Sequence, residues 1–379
     1  MINYRMPAKS DSIRAIAGQL LIIGFDGVEL SPALASLLKR VQPAGVILFA
    51  RNIANAQQTH RLLRECQKPV REPLFTSVDL EGGRVDRFRN LTGPAPSAAD
   101  VFATGDRKLF RRHGELIGKI CCTLGFNVDF APVLDLAFEA SKKVMSSRAF
   151  STEPQEVIAY AREFLAGLAS AKVIGAGKHF PGLGEGRLDS HEHLPIIEKS
   201  FQKLWAEDLV PYREMRRELA MVMVNHANYP AVTGDRMPAS LSKKWISDIL
   251  RRKIRYRGLI VSDDLEMGGI VEARPAGEAA VEFIRAGGDL GLVCHLQENV
   301  EHAYEAIVRE SERSSSFRRR AAESAQRIAA FKRKSREIDS RAPVPSPEKI
   351  SRLSTQLWEF SERVRLSALS AAAAAGGRQ

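Results

Sequence analysis

Cysteine is scarce in this 379-residue chain. Cys66, Cys121, Cys122 and Cys294 form no CxxC pair and no regularly spaced framework, which excludes a disulfide-stapled scaffold. Long apolar runs are absent as well, and none approaches the roughly 18 residues needed to span a bilayer. The N-terminus lacks a basic start followed by an apolar stretch and a small-residue cleavage site, so neither export nor membrane insertion is expected. Reduced, buried thiols and a cytoplasmic setting are the corresponding expectation. Also missing is a GxGxxG turn after the first apolar run, which counts against a doubly wound dinucleotide-binding sheet.

What is present is an ordinary globular composition, 44% hydrophobic and 27% charged, which rules out disorder, collagen and coiled coil as the dominant state. Lysine and arginine exceed aspartate and glutamate by 11, a balance that suits an anionic partner such as nucleic acid. More than half of that excess falls after residue 300, where 16 basic face 10 acidic residues and none of the motifs below occur. A solvated basic face is the simpler account, and no nucleic-acid partner is expected.

Eight short runs rich in Val, Ile, Leu and Phe recur about every 38 residues: LLIIGFDG, GVILFARN, LFTSVDLEGG, FNVDFAPVLDL, VIGAGKHFPG, MVMVNHANY, GLIVSDDLEMGG and DLGLVCH. Continuous apolar strands of this kind belong to parallel sheets buried on both faces. Helical patterns separate them, at 56–66, 107–124, 153–171, 201–219, 241–253 and 275–286. Thr152 and Ser242 are read as N-caps and Pro275 as a first-turn residue. The period predicts an α/β fold of the (β/α)8 TIM-barrel type. Residues 1–341 are expected to form one catalytic barrel domain. Residues 342–379, which open on RAPVPSPEK and fade into SAAAAAGGRQ, are expected to form a helical, low-complexity tail that docks loosely.

In such a barrel the strands' C-terminal ends form the active mouth. Arg51, Asp79, Asp135, Lys178, His179, His226, Asp263 and His295 all fall at or just past those ends. The richest segment, KHFPGLGEGRLDSHEHLP, reads as a glycine-rich loop that can carry Asp189 and His191 over the mouth. Asp189 can accept from one imidazole nitrogen while the other exchanges a proton near neutrality; a purely structural Asp–His hydrogen bond is the plainer alternative. In SDDLEM, Asp263 at the end of the seventh strand can act as a nucleophile toward a sugar or bind a metal, and Asp264 is read as the cap. The apolar GLVC context argues that Cys294 is buried and inert.

Taken in order, GVILFARN, VDLEGGRVDRF, FNVDFAPVLDL, SSRAFS, GKHFPGLGEGRLDSHEHLP, MVMVNHANYP, MPASLS and GLIVSDDLEMGG resemble the glycoside hydrolase family 3 β-N-acetylglucosaminidases of the bacterial peptidoglycan-recycling type. The resemblance covers nearly all of residues 20–294. It implies a retaining exo-enzyme acting on cell-wall muropeptides, with Asp263 as nucleophile and His191, paired with Asp189, as general acid/base. It further implies that Asp79, Arg87, Arg148, Lys178 and His179 bind the sugar, and that no metal or organic cofactor takes part. The family's loop commonly reads KHFPGHG, and Leu183 here replaces its second histidine. A carbohydrate is the only expected partner, with the chain acting as a monomer. The alternatives are a β-glucosidase-type or phosphorolytic member of the family, a metal-dependent hydrolase built from His179, His226, Asp263 and the DSHEH loop, and a silent carbohydrate- or nucleic-acid-binding barrel.

Overall fold

The structure is a computed structural model that describes residues 9–186, 194–271, 274–335, 337–338 and 342–376. In chain order its strands are β1 Leu21–Ile23, β2 Gly45–Ile47, β3 Phe75–Val78, β4 Leu80–Gly82, β5 Val85–Asp86, β6 Val128–Asp129, β7 Ile174–Phe180, β8 Met221–Val224, β9 Leu259–Asp264 and β10 Leu290–Val293. All but β4 and β5 pair in parallel and close into an eight-stranded barrel, with β10 joined to β1. Nearly every residue of these strands is buried, as expected of runs packed on both faces by side chains and helices. The antiparallel ribbon β4–β5 interrupts the barrel after β3, and it carries part of the mouth.

Helix Arg107–Leu124 matches its predicted span, capped by Asp106 at its start and by Gly125 in a left-handed conformation at its end. Other predictions need correction. The 201–219 pattern forms two short helices, Phe201–Ala206 and Val210–Glu214, because the intervening Asp208 turns inward to a buried ion pair with Lys199 at 2.5 Å. Thr152 is not the cap of helix Pro154–Ser170; Ser151 accepts from the Glu153 amide (2.9 Å) and donates to Glu156. Ser242 contributes its main-chain carbonyl to Ile246 rather than its hydroxyl, and Pro275 sits just before helix Ala276–Ala286, at its cap.

At the N-terminal end of the barrel, Asp289 accepts from the Ile260 amide (2.9 Å) and pairs with Arg251 and Arg327. Lys332 is buried against the Ala44 carbonyl (2.7 Å) and the Phe75 ring, and burial pushes its ammonium down to about 7. Helix Ser315–Lys334 therefore uses part of the basic surplus to close the barrel floor, a structural role rather than a solvated one. The C-terminal helix Pro347–Gly376 buries Leu353, Leu357, Phe360 and Val364 along one stripe. Its first half is firmly docked, in place of the loose association expected.

Candidate active site

A cavity of about 610 Å³ opens at the C-terminal ends of the strands, and Asp79, Arg87, Arg148, Lys178, His179 and Asp263 all line it. That volume falls inside the range of about 300–1,000 Å³ usual for small-molecule sites. Asp79 follows β3 directly, and the extended backbone of β4 brings Glu81 to the same side two residues on. Lys178, on β7, reaches both carboxylates, at 2.8 Å to Asp79 Oδ1 and 2.6 Å to Glu81 Oε1. Arg148, from the turn Ser146–Arg148, grips Glu81 through Nε (2.7 Å) and Nη2 (2.8 Å). Glu81 is the residue that the sequence reading missed; in DLEGG it looks like one more carboxylate on a ligand loop.

Burial works against charge in all three partners, and their mutual attraction outweighs it. Glu81 is held well below the usual carboxylate range, while Lys178 and Arg148 stay above their ordinary values. The cavity wall is thus a fixed set of charges whose orientation is set by bidentate geometry.

His179 is oriented just as firmly. Its Nδ1 lies 2.6 Å from Asp135 Oδ2, and its Nε2 lies 3.2 Å from Arg148 Nη2. A guanidinium has no acceptor, so Nε2 accepts, and the ring proton sits on Nδ1, donated to Asp135. The other oxygen of Asp135 accepts from the Leu183 amide at 2.7 Å, and Leu183 lines the cavity. The peptide bond between Lys178 and His179 is cis.

Asp263, the penultimate residue of β9, is half-buried, with its Oδ1 accepting from the Asp264 amide at 3.0 Å. Asp264 caps the turn through the Glu266 amide (3.1 Å) and pairs with His295 at 3.0 Å. His295 stacks on Phe49, and its hydrogen bond with Asp264 raises its pKa. A raised histidine pKa adds stability that is present below the unfolded value of about 6.5 and lost as pH rises through the folded value. Replacing His295 with glutamine is therefore expected to flatten the fall in unfolding temperature between about pH 6 and pH 9. An unchanged fall would remove His295 as its source.

Not every polar group expected at the mouth reaches the cavity. Asp135 lies behind His179. His226 is buried, with Nδ1 at 2.7 Å from the Ser240 hydroxyl and Nε2 at 2.8 Å from the Asp264 carbonyl, so neither ring nitrogen is available to a metal shared with Asp263. Arg51 turns away to Asp26 (2.8 Å) and the Cys294 carbonyl. Cys294 is buried, and burial pushes its thiol up, in keeping with an inert cysteine. All four cysteines are unpaired. Asp189, His191 and His193 lie outside the described residues.

A mouth lined by fixed charges of both signs at the C-terminal ends of barrel strands is the place where enzymes of this fold carry their active sites. Residues 12–331 match the family described as the glycosyl hydrolase family 3 N terminal domain. The chain is 33% identical over 347 residues to a β-hexosaminidase from Idiomarina loihiensis, covering 90% of this chain and 98% of that protein. It is 37% identical over 287 residues to a β-hexosaminidase from Alkalilimnicola ehrlichii, covering 74% and 82%. Among solved structures, a glycoside hydrolase family 3 β-N-acetylglucosaminidase from Paenibacillus sp. strain FPU-7 superposes with a TM-score of 0.84 at 33% identity, covering 92% of this chain and 68% of that one. The chain belongs to glycoside hydrolase family 3.

Proposed function

We propose that this protein is a retaining exo-β-N-acetylglucosaminidase that releases terminal, non-reducing β-linked N-acetylglucosamine from cell-wall muropeptides. The observation that carries the reading is the convergence of Asp263 with Asp79, Arg87, Arg148, Lys178 and His179 on one cavity, together with relatives named β-hexosaminidase. Asp263 attacks the anomeric carbon and forms the covalent glycosyl-enzyme. Lys178, Asp79, Arg148 and His179 hold the sugar hydroxyls with donors and acceptors whose directions are already set, and Arg87 completes the set from the end of the ribbon. His191, oriented by Asp189, protonates the leaving oxygen in the first step and, once neutral, takes a proton from water in the second. An Asp–His pair in that role departs from the two-carboxylate pattern of most retaining glycosidases.

The test compares release of nitrophenol from the β-N-acetylglucosaminide and the β-glucoside, in buffer with chelator and with phosphate added or omitted. Turnover of the first substrate alone, indifferent to chelator and phosphate, is the expected result. Preference for the glucoside, acceleration by phosphate or loss in chelator would each move the assignment to the corresponding alternative. In the same assay His191→Ala is expected to lose far more activity on unactivated disaccharides than on aryl glycosides, whose leaving groups need little protonation. Equal losses on both would remove His191 from the acid role.

A further inference from the structure

The ribbon that carries Asp79, Glu81 and Arg87 is supported from behind by a stack of elements that ends outside the family-matched region. Asp86 gathers the chain after the ribbon, accepting from the Phe88 and Ala95 amides, each at 2.9 Å. The Gly83 amide donates to the Ala95 carbonyl at 3.0 Å. Gly82 adopts φ +83° and lies so close to the Pro96 carbonyl that an added Cβ would sit 2.1 Å from its oxygen and 3.3 Å from His113 Nε2. The ribbon thus rests on residues 95–97 and on the His113 ring. His113 is wholly buried, with Nδ1 at 2.7 Å from the Tyr160 hydroxyl and its edge against Phe164. Against the face of His113 lies Phe360 of the C-terminal helix, with ring centroids 5.8 Å apart and planes inclined by 24°. The same helix packs on helices Arg89–Thr92 and Ala98–Phe102, which lead out of the ribbon, and on Arg107–Leu124.

We propose that the C-terminal helix, which follows the family-matched residues 12–331, is a brace for the sugar-binding ribbon, and that Phe360 is a positioning residue acting through His113 on Asp79, Glu81 and Arg87. The proposal rests on the assignment of those residues to sugar binding. The helix reaches the ribbon through aromatic and main-chain contacts, and interiors packed this tightly transmit displacement rather than absorb it. A ribbon that loses its backing shifts Asp79 and Arg87 relative to Lys178 and Asp263, which sit on barrel strands or at their ends. The consequence is weaker sugar binding with the nucleophile left in place.

Partial unfolding lowers apparent kcat and leaves KM unchanged, so KM separates positioning from mere stability. The full-length chain is compared with Phe360→Ala, Phe360→Leu and Trp358→Ala on nitrophenyl β-N-acetylglucosaminide, below each variant's unfolding transition. Trp358, on the same helix, is exposed. Phe360→Ala is expected to raise KM about fivefold with kcat within about twofold, Phe360→Leu to recover most of the loss, and Trp358→Ala to match the parent. If Phe360→Ala does not fold, Phe360→Leu and Leu357→Val decide by the same KM criterion. Asp79→Asn is measured in parallel as a probe of the site itself. Loss of kcat/KM in Asp79→Asn beside an unchanged KM in the folded Phe360 and Leu357 variants would overturn the brace. An Asp79→Asn enzyme with parental kinetics would instead overturn the sugar-site reading beneath it.

Discussion

Replacement of Asp263 by alanine is expected to reduce kcat on the β-N-acetylglucosaminide on the order of 10⁴-fold or more, the scale of losing a covalent nucleophile. Because the side chain is half-buried at the cavity wall and tied locally to the Asp264 amide, the unfolding free energy should stay within about 1 kcal/mol of the parent. Added azide should then restore turnover, entering from the vacated face and giving the glycosyl azide of inverted configuration. The alternative outcome is chemically distinct. If Asp263→Ala keeps activity within tenfold of the parent, the substrate's own acetamide is the nucleophile, as in substrate-assisted glycosidases, and the covalent mechanism fails.

The second large effect is on stability. Removing Glu81 as alanine leaves Arg148 without the two hydrogen bonds it makes to that carboxylate and, among the described residues, leaves Lys178 with Asp79 alone. Breaking one member out of a buried ion network costs about 3–5 kcal/mol, readable as a shift in the urea midpoint with the slope unchanged. Glu81→Gln keeps the shape and some of the hydrogen bonds, so its loss should be smaller. The pH dependence has a definite sign. A carboxylate whose folded pKa is depressed contributes its full stabilisation above the unfolded value of ~4.3 and loses it as pH falls through the folded value. The gap between parent and Glu81→Gln should therefore be constant from about pH 5 to 7 and narrow only in stronger acid. A gap that narrows instead toward alkaline pH would show that Glu81 is not the charged member of this network.

The barrel was legible because its evidence is local. Each apolar run, each polar residue at its C-terminal end and the spacing between them can be seen without knowing what lies opposite. Most of the misreadings arise where a partner outside the residues in question decides. Asp208 breaks a helical pattern because Lys199 draws it inward, and Ser151 displaces Thr152 because Glu156 is placed to receive its hydroxyl. His226 and Asp135 look like mouth residues by position, yet their partners hold them behind the wall. For Glu81 a signal was available. In an extended D-L-E run, Asp79 and Glu81 share a face, so a lysine able to meet one is placed to meet both. The docking of the C-terminal helix had a cue of the same kind in the spacing of Leu353, Leu357, Phe360 and Val364, masked by the polar and alanine-rich residues around it.

The tie between Asp135 and residue 183 has a consequence for how this site tolerates change. One carboxylate fixes the His179 ring with one oxygen and the Leu183 main-chain amide with the other. That second bond is made by an atom every residue except proline possesses. The anchorage of the loop's first turn is accordingly blind to the side chain at 183, and a substitution there leaves in place the carboxylate that orients the His179 imidazole at the cavity wall. Position 183 is itself buried among apolar neighbours at the cavity wall, so its side chain is held by packing and its main chain by the Asp135 tie.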